Sequence, residues 1–198
     1  MGRIVRLVST NEHKLRELRA LFPDWRIEPL EAVEAPEETG ATFYENARAK
    51  ALFGRTLAEP GEWVLGEDSG LEVEPLAGAP GIRSARYAGE EARDAQNVAK
   101  LLSELAGVAA EERCARYVSE LVAVSPEGRE YRGTGTLRGR IAAEERGNEG
   151  FGYDPVFVPE SEAQTVAELG NEWKSRHSHR AGAARALAQE VGEAVEPM

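Results

Sequence analysis

Cysteine is nearly missing from this chain. Cys114 stands alone, so no intrachain disulfide can form and the fold must be held by packing. A lone cysteine fits a reducing compartment, and its ordinary place is as a small core residue in a strand. No apolar run approaches the length of a membrane span. Ile4–Val8, interrupted by Arg6, is too short for the core of a secretion signal. Positive charge is also short: 24 Lys and Arg stand against 35 Asp and Glu, for a net charge of −11. That balance excludes broad non-specific nucleic-acid binding, which needs a basic face. A small anionic substrate stays open, because local cations outweigh a global field. Lysine is scarcest among the cations, occurring only at 14, 50, 100 and 174, which singles out Lys14 and Lys174 amid general arginine use. There is no internal repeat and no low-complexity tract.

What is present suffices for a globular fold. With 198 residues, 41% hydrophobic and 30% charged, the chain spans one domain, 1–198, or two small lobes. Ile4–Val8 reads as a first strand. A helix from about Glu12 to Phe22 follows, with Leu15, Leu18 and Phe22 on one face and Ser9 with Glu12 as a capping box. Pro23 stops it, and Trp25 to Leu30 forms a second strand. Ala35 to Gly40 is an acidic loop. Thr42 with Glu45 caps an alanine-rich helix running to about Ala58. Trp63-Val64-Leu65 reads as a central strand, ended by a glycine turn at Gly66 to Leu71. Asp94 caps a helix with Val98, Leu101, Leu102 and Leu105 on one side. The segment 106–113 marks a lobe boundary. Arg116 to Val124 and Glu130 to Leu137 form a hairpin around Pro126-Glu127-Gly128. A short strand, Val156 to Val158, and a short helix near Val166 to Leu169 come next. The polar stretch Asn171 to Arg180 then leads, with Ser178 as N-cap, to a last helix carrying Ala184, Leu187 and Val191 on one face. The class implied is α/β: an elongated mixed β-sheet flanked by helices, in two lobes with a central substrate cleft.

Four stretches can carry chemistry. Glu67-Asp68-Ser69, at the expected end of a strand, places two carboxylates and a hydroxyl where α/β sheets bind ligands, and a divalent cation between them would relieve their repulsion. Glu37, Glu38 and Glu45 are further acidic groups able to converge on such a cation. Ser9 to Lys14 has the parts of an anion cradle, with helix amides and a mobile ammonium, although His13 by itself reads as an exposed helix residue. Phe151-Gly152-Tyr153-Asp154 sets two aromatics and a carboxylate beside glycine backbone, suited to stacking a nucleobase or to filling a core. Lys174 to Arg180 clusters cations and histidines in an acidic chain; it can meet phosphate or a base oxygen, and it lacks the ligand spacing of a zinc site.

Taken in order, these stretches resemble the inosine/xanthosine triphosphate pyrophosphatases. The matching residues are Ser9-Thr10-Asn11 with Lys14; Glu38-Thr39-Gly40 with Thr42-Phe43 and Glu45-Asn46-Ala47; Glu67-Asp68-Ser69-Gly70-Leu71; Gly78 to Gly81 with Ser84-Ala85-Arg86-Tyr87; Phe151 to Pro155; and Lys174 with Ser178-His179-Arg180. The resemblance implies Mg²⁺-dependent hydrolysis of ITP, dITP or XTP to the monophosphate and pyrophosphate, in a cytoplasmic homodimer. It implies Asp68 as catalytic proton acceptor and metal ligand, with Glu38 as second metal contact. Ser9, Thr10, Asn11, Glu12, His13 and Lys14 would hold the triphosphate, with Ser69 beside them. Phe151, Gly152, Tyr153, Asp154, His179 and Arg180 would enclose the purine, Arg180 or backbone amides beside it giving donors to its six-position oxygen, and Lys174 would also touch substrate. The alternatives are a septum-linked nucleotide pyrophosphatase with another base preference, or a nucleotide sensor without turnover. Two departures from the family pattern stand out. Glu67 replaces the usual first aspartate, and Glu149 interrupts the glycine-rich approach Gly147-Asn148-Glu149-Gly150, where a positive φ would strain it.

Overall fold

Among the described residues, six strands make one mixed sheet in the order β2-β1-β3-β4-β5-β6. The structure is a computed structural model that describes residues 3–30, 36 and 38–192. Ala35 and Glu37 of the expected acidic loop lie outside the described residues. The elements are β1 (Arg3–Val8), α1 (Glu12–Leu21), β2 (Trp25–Pro29), α2 (Phe43–Arg55), β3 (Trp63–Val73), α3 (Asp94–Glu104), β4 (Cys114–Val124), β5 (Glu130–Ile141), β6 (Phe157–Pro159), α4 (Val166–His177) and α5 (His179–Val191). β1 pairs in parallel with β2 and β3, while β6 runs antiparallel to β5. This is the mixed α/β sheet anticipated from the sequence.

The chain packs as two units. The first holds the described residues up to Asp68, Ser119–Gly135 and those from His179 onward; the second holds Ser69–Val118 and Thr136–Ser178. Residues 106–113, expected to separate two lobes, lie wholly inside the second unit. In the first unit, alternate strand residues face opposite sides. Val5, Leu7, Ile27, Leu65, Leu121 and Ala123 bury one face beneath Leu18 and Phe22 of the first helix segment and Ala183, Ala184 and Leu187 of α5. Val122 and Val124 cover the other face against Ala47 and Ala51 of α2. Helix α5 lies unusually close to its strand: a Cβ at Gly133 would stand 2.2 Å from the Ala183 carbonyl, and one at Gly135 would stand 2.0 Å from that of His179. In the second unit, Leu71, Val73, Ala115, Tyr117 and Ile141 bury against Val98 and Leu101 of α3, its C-cap Leu105 and Val166 of α4.

Several local expectations change. The cap of α1 is Asn11, whose side chain accepts from the His13 and Lys14 amides, rather than a Ser9–Glu12 box. Asp94 begins α3 without capping it, since Arg93 is the N-cap. The short helix near Val166 continues to His177, with a break at Gly170 (φ 83°, ψ 175°). Ser178 is extended: it closes α4 and stands immediately before α5, at the N-cap position expected from the sequence. Cys114 is exposed at the start of β4 rather than buried in the core.

Candidate active site

The acidic motif is not a turn. β3 runs unbroken from Trp63 to Val73, straight through Gly66 to Leu71. Gly66 serves close approach instead: a Cβ there would sit 2.1 Å from the Ala47 carbonyl and 2.7 Å from the Ala51 nitrogen of α2. Glycine in a strand interior commonly marks such a contact. Because strand side chains alternate, Glu67 and Asp68 point to opposite faces. Their contacts agree with this. Glu67 meets residues of α1 and α5, whereas Asp68 meets residues of α2. No single cation between the two carboxylates is therefore needed.

On the α2 side, Asn46 Nδ2 donates to Asp68 Oδ2 at 3.0 Å, while Asn46 Oδ1 accepts from the Gly40 amide at 2.8 Å. One amide thus fixes both the carboxylate and the segment leading from Glu38. Lys50, one turn further along the same helix face, ion-pairs with Glu38 and lies 3.8 Å from Asp68 Oδ1. Its ammonium also donates to the Glu67 carbonyl at 3.2 Å. Burial pushes the Asp68 carboxyl up to about 6, with Lys50 and Lys14 pulling it down and Glu38 and Glu67 adding to the rise. Burial works against the Lys50 ammonium too, but Asp68 and Glu38 outweigh it and raise its pKa. Two carboxylates against one ammonium leave this group one negative charge in excess. Among the described residues, no three His, Cys, Asp or Glu side chains gather as a metal cage. A pair of converging carboxylates nevertheless fits Mg²⁺, which keeps waters and takes its remaining ligands from substrate phosphates.

On the other face, Glu67 is fully buried between two cations. Lys14 Nζ lies 2.6 Å from Glu67 Oε2, and Arg180 Nη2 lies 2.9 Å from Oε1. Arg180 in turn reaches Glu17, so the chain Lys14–Glu67–Arg180–Glu17 alternates in sign and is electrically neutral. Glu67 and Glu17 hold the buried Arg180 guanidinium above its ordinary pKa against the effect of burial. Arg180, expected to offer donors to a purine, directs Nε and Nη2 to Glu67 and Nη1 to Glu17. His179 is buried beside it at the start of α5.

The remaining candidates split by unit. In the first, Ser9 Oγ accepts from the Asn11 amide at 3.2 Å, and Thr10, Glu12 and His13 are exposed. The cradle reading relied on first-turn amides, and Asn11 Oδ1 already engages those of His13 and Lys14. In the second, Ser69 is half-buried on β3. Asp154 is a hub there: it accepts from Lys174 Nζ at 2.6 Å, from the Phe151 amide at 2.9 Å and from the Tyr117 hydroxyl at 3.3 Å. Lys174 Nζ also stands 4.1 Å from the centre of the Phe151 ring, a cation–π contact. Tyr153 is a core residue whose hydroxyl donates to the Ser84 carbonyl at 2.9 Å, and Phe151, half-buried, is the more accessible aromatic of the two. Gly152 donates its amide to Asp94 at 2.6 Å. The positive φ values fall on Gly147, Gly150 and Gly152, so Glu149 carries no such strain. Sequence reasoning missed Asn46 and Lys50 as site residues, and Tyr117 and Glu17 as partners.

The Ham1 family model matches residues 5–190. A protein of Bdellovibrio bacteriovorus named dITP/XTP pyrophosphatase is 42% identical over 197 residues, covering 96% of this chain and 98% of that protein. One of the same name from Exiguobacterium sibiricum is 48% identical over 186 residues, covering 91% and 93%. Among solved structures, a HAM1 protein from Coxiella burnetii superposes with a TM-score of 0.84 at 37% identity, covering 97% of this chain and all of that one (100%). The Staphylococcus aureus Ham1 protein gives a TM-score of 0.84 at 35% identity, covering 96% and 98%. With a match along almost its whole length, this chain belongs to the Ham1 family.

Proposed function

We propose that this chain hydrolyses non-canonical purine nucleoside triphosphates (ITP, dITP and XTP) to the monophosphate and pyrophosphate. The observation that carries the reading is the Asp68–Asn46–Lys50–Glu38 group: a buried, raised carboxyl, oriented by an amide and set in excess negative charge. The relatives' names supply the substrate class. A group with a pKa near the working pH is suited to proton transfer. Asp68 takes the proton of a water whose oxygen bonds to the α-phosphorus, and the α–β anhydride bond breaks to release pyrophosphate. Asp68 and Glu38 would hold Mg²⁺, which when bound supplies neutralisation of the triphosphate.

Lys14 gives positive charge to the phosphates, kept in place by Glu67, which Arg180 anchors from behind. Ser9, Thr10, Asn11, Glu12 and Ser69 complete the triphosphate contacts. Phe151 stacks on the base, and Lys174 with Asp154, His179 and the backbone of Gly152 completes its enclosure. Arg180 acts as a positioning residue rather than as the reader of the base. The active form is a cytoplasmic homodimer. Among the described residues, no helix is long and apolar enough to cross a membrane.

The test is pyrophosphate release from ITP, dITP, XTP, GTP and ATP, with and without Mg²⁺. Turnover of the first three, with GTP and ATP slow and pyrophosphate rather than orthophosphate as product, is the expected result. Orthophosphate release, or a preference for pyrimidine triphosphates, would overturn it, and tight ITP binding without turnover would make the chain a sensor.

A further inference from the structure

The segment that approaches Phe151 lies along the first turns of α4. Thr165 Oγ1 donates to the Arg146 carbonyl at 2.7 Å, and the Glu149 amide points to the Ala167 carbonyl at 3.4 Å. Gly147 is pressed so close that a Cβ would meet the Ala167 carbonyl carbon at 2.4 Å. Helix α4 then breaks at Gly170, whose φ of 83° disfavours any side chain. A helix that restarts exposes new amide donors at its first turn. Glu149 meets this restart. Its Oε2 accepts from the Asn171 amide at 3.0 Å and from Asn171 Nδ2 at 2.8 Å. A side chain at 170 would also crowd it, since a Cβ there would stand 3.3 Å from Glu149 Oε2. The carboxylate therefore caps the seven residues 171–177, which carry Lys174, and its negative charge suits that end of the helix. Lys174 in turn touches Asp154 and the Phe151 ring.

We infer that Glu149 is a positioning residue that ties the aromatic loop to the restarted half of α4 and thereby places Lys174 for the nucleotide. The functional half of this inference rests on the reading of Lys174 as a substrate contact. Glu149 is exposed, so its replacement leaves the core intact.

The experiment compares the full-length wild type with Glu149→Ala, Glu149→Gln and Lys174→Ala. It measures amide hydrogen exchange of residues 171–177 together with steady-state kinetics on dITP. In Glu149→Ala, exchange of 171–177 should rise about fivefold, as for one lost cap, while the remainder of the chain keeps its protection. KM for dITP should rise about threefold to fivefold with kcat held within about twofold, the signature of lost binding rather than lost chemistry. Glu149→Gln keeps an acceptor oxygen and should recover much of both effects. Unchanged exchange in Glu149→Ala, or a Gln variant no better than Ala, overturns the cap. Faster exchange with an unchanged KM, while Lys174→Ala raises KM, overturns the link to substrate. An unchanged KM in Lys174→Ala instead defeats the reading of Lys174 and removes the functional half, the exchange data then deciding the cap alone.

Discussion

Replacing Asp68 with asparagine should make the metal-free protein more stable and the enzyme inactive. Asp68 is 4% exposed, and its carboxyl rises from 3.8 to about 6 chiefly because burial disfavours the charge. The attraction of Lys50 and Lys14 is already within that figure. A rise of this size corresponds to ~3 kcal/mol. The sign follows from linkage. A carboxyl whose folded pKa lies above its unfolded one contributes fully below about 4, and the contribution is lost as pH climbs through about 6. At pH 7.5 the wild type thus carries the cost of an ionised buried carboxylate, and Asp68→Asn does not. The asparagine also keeps an oxygen for Asn46 Nδ2, so the local hydrogen bond survives.

The assay is urea and thermal unfolding in EDTA from pH 4.5 to 8, beside pyrophosphate release with Mg²⁺. The variant should gain ~3 kcal/mol at pH 7.5, roughly 6–12 °C in Tm for a chain of this size, and only about 1 kcal/mol at pH 4.5. Turnover should fall by about 10²–10⁴ with the proton acceptor gone. Added Mg²⁺ should narrow the gap, because a ligand held by the native carboxylate stabilises the wild type. An advantage that is absent at pH 7.5, or equal at both ends of the range, would refute the burial argument. Near-normal turnover would refute the role of Asp68 as base.

Glu67→Gln removes the carboxylate shared by Lys14 and Arg180; urea unfolding should show a loss of about 3–5 kcal/mol, and a loss below about 1 would contradict the neutral chain described here. Gly66→Ala inserts a methyl where the Ala47 carbonyl stands 2.1 Å away, so α2 must shift. It should cost about 1–3 kcal/mol and depress turnover as well, because that helix carries Asn46 and Lys50; a variant with normal stability and activity would count against the contact.

Much of the fold was legible because local signals agreed with global ones. The apolar spacing of Leu15, Leu18 and Phe22, the Thr42 cap and the Val98–Leu105 stripe all mark helices that exist. The reading failed where tertiary contact outvoted local propensity. Gly66 and Gly70 look like turn punctuation, yet Gly66 allows a helix backbone to lie against a strand, and nothing local distinguishes the two uses. The polar stretch after Gly170 lacks an apolar stripe and gives no helical signal of its own, but buried Lys174 and the Glu149 cap hold it as helix. Lys50 carried a usable signal: Asn46 and Lys50 stand four apart on the same face as Ala47, Ala51 and Gly54. Polar groups on the small-residue side of a helix ought to be read as inward-facing. Arg180 was legible as important, but not as the partner of Glu67, since 113 residues separate them.

The pleat of β3 also gives two neighbours in the sequence separate side-chain partners. The side chain at 67 reaches α1 and α5, and that at 68 reaches α2. Charge is not divided in the same way: Lys14 and Glu67 both act on the Asp68 carboxyl across the strand, and Lys50 donates to the Glu67 carbonyl. A change of side-chain length at 67 is therefore met first by the two helices it touches, whereas a change of charge at 67 or 14 is felt one residue away, at the group placed for proton transfer.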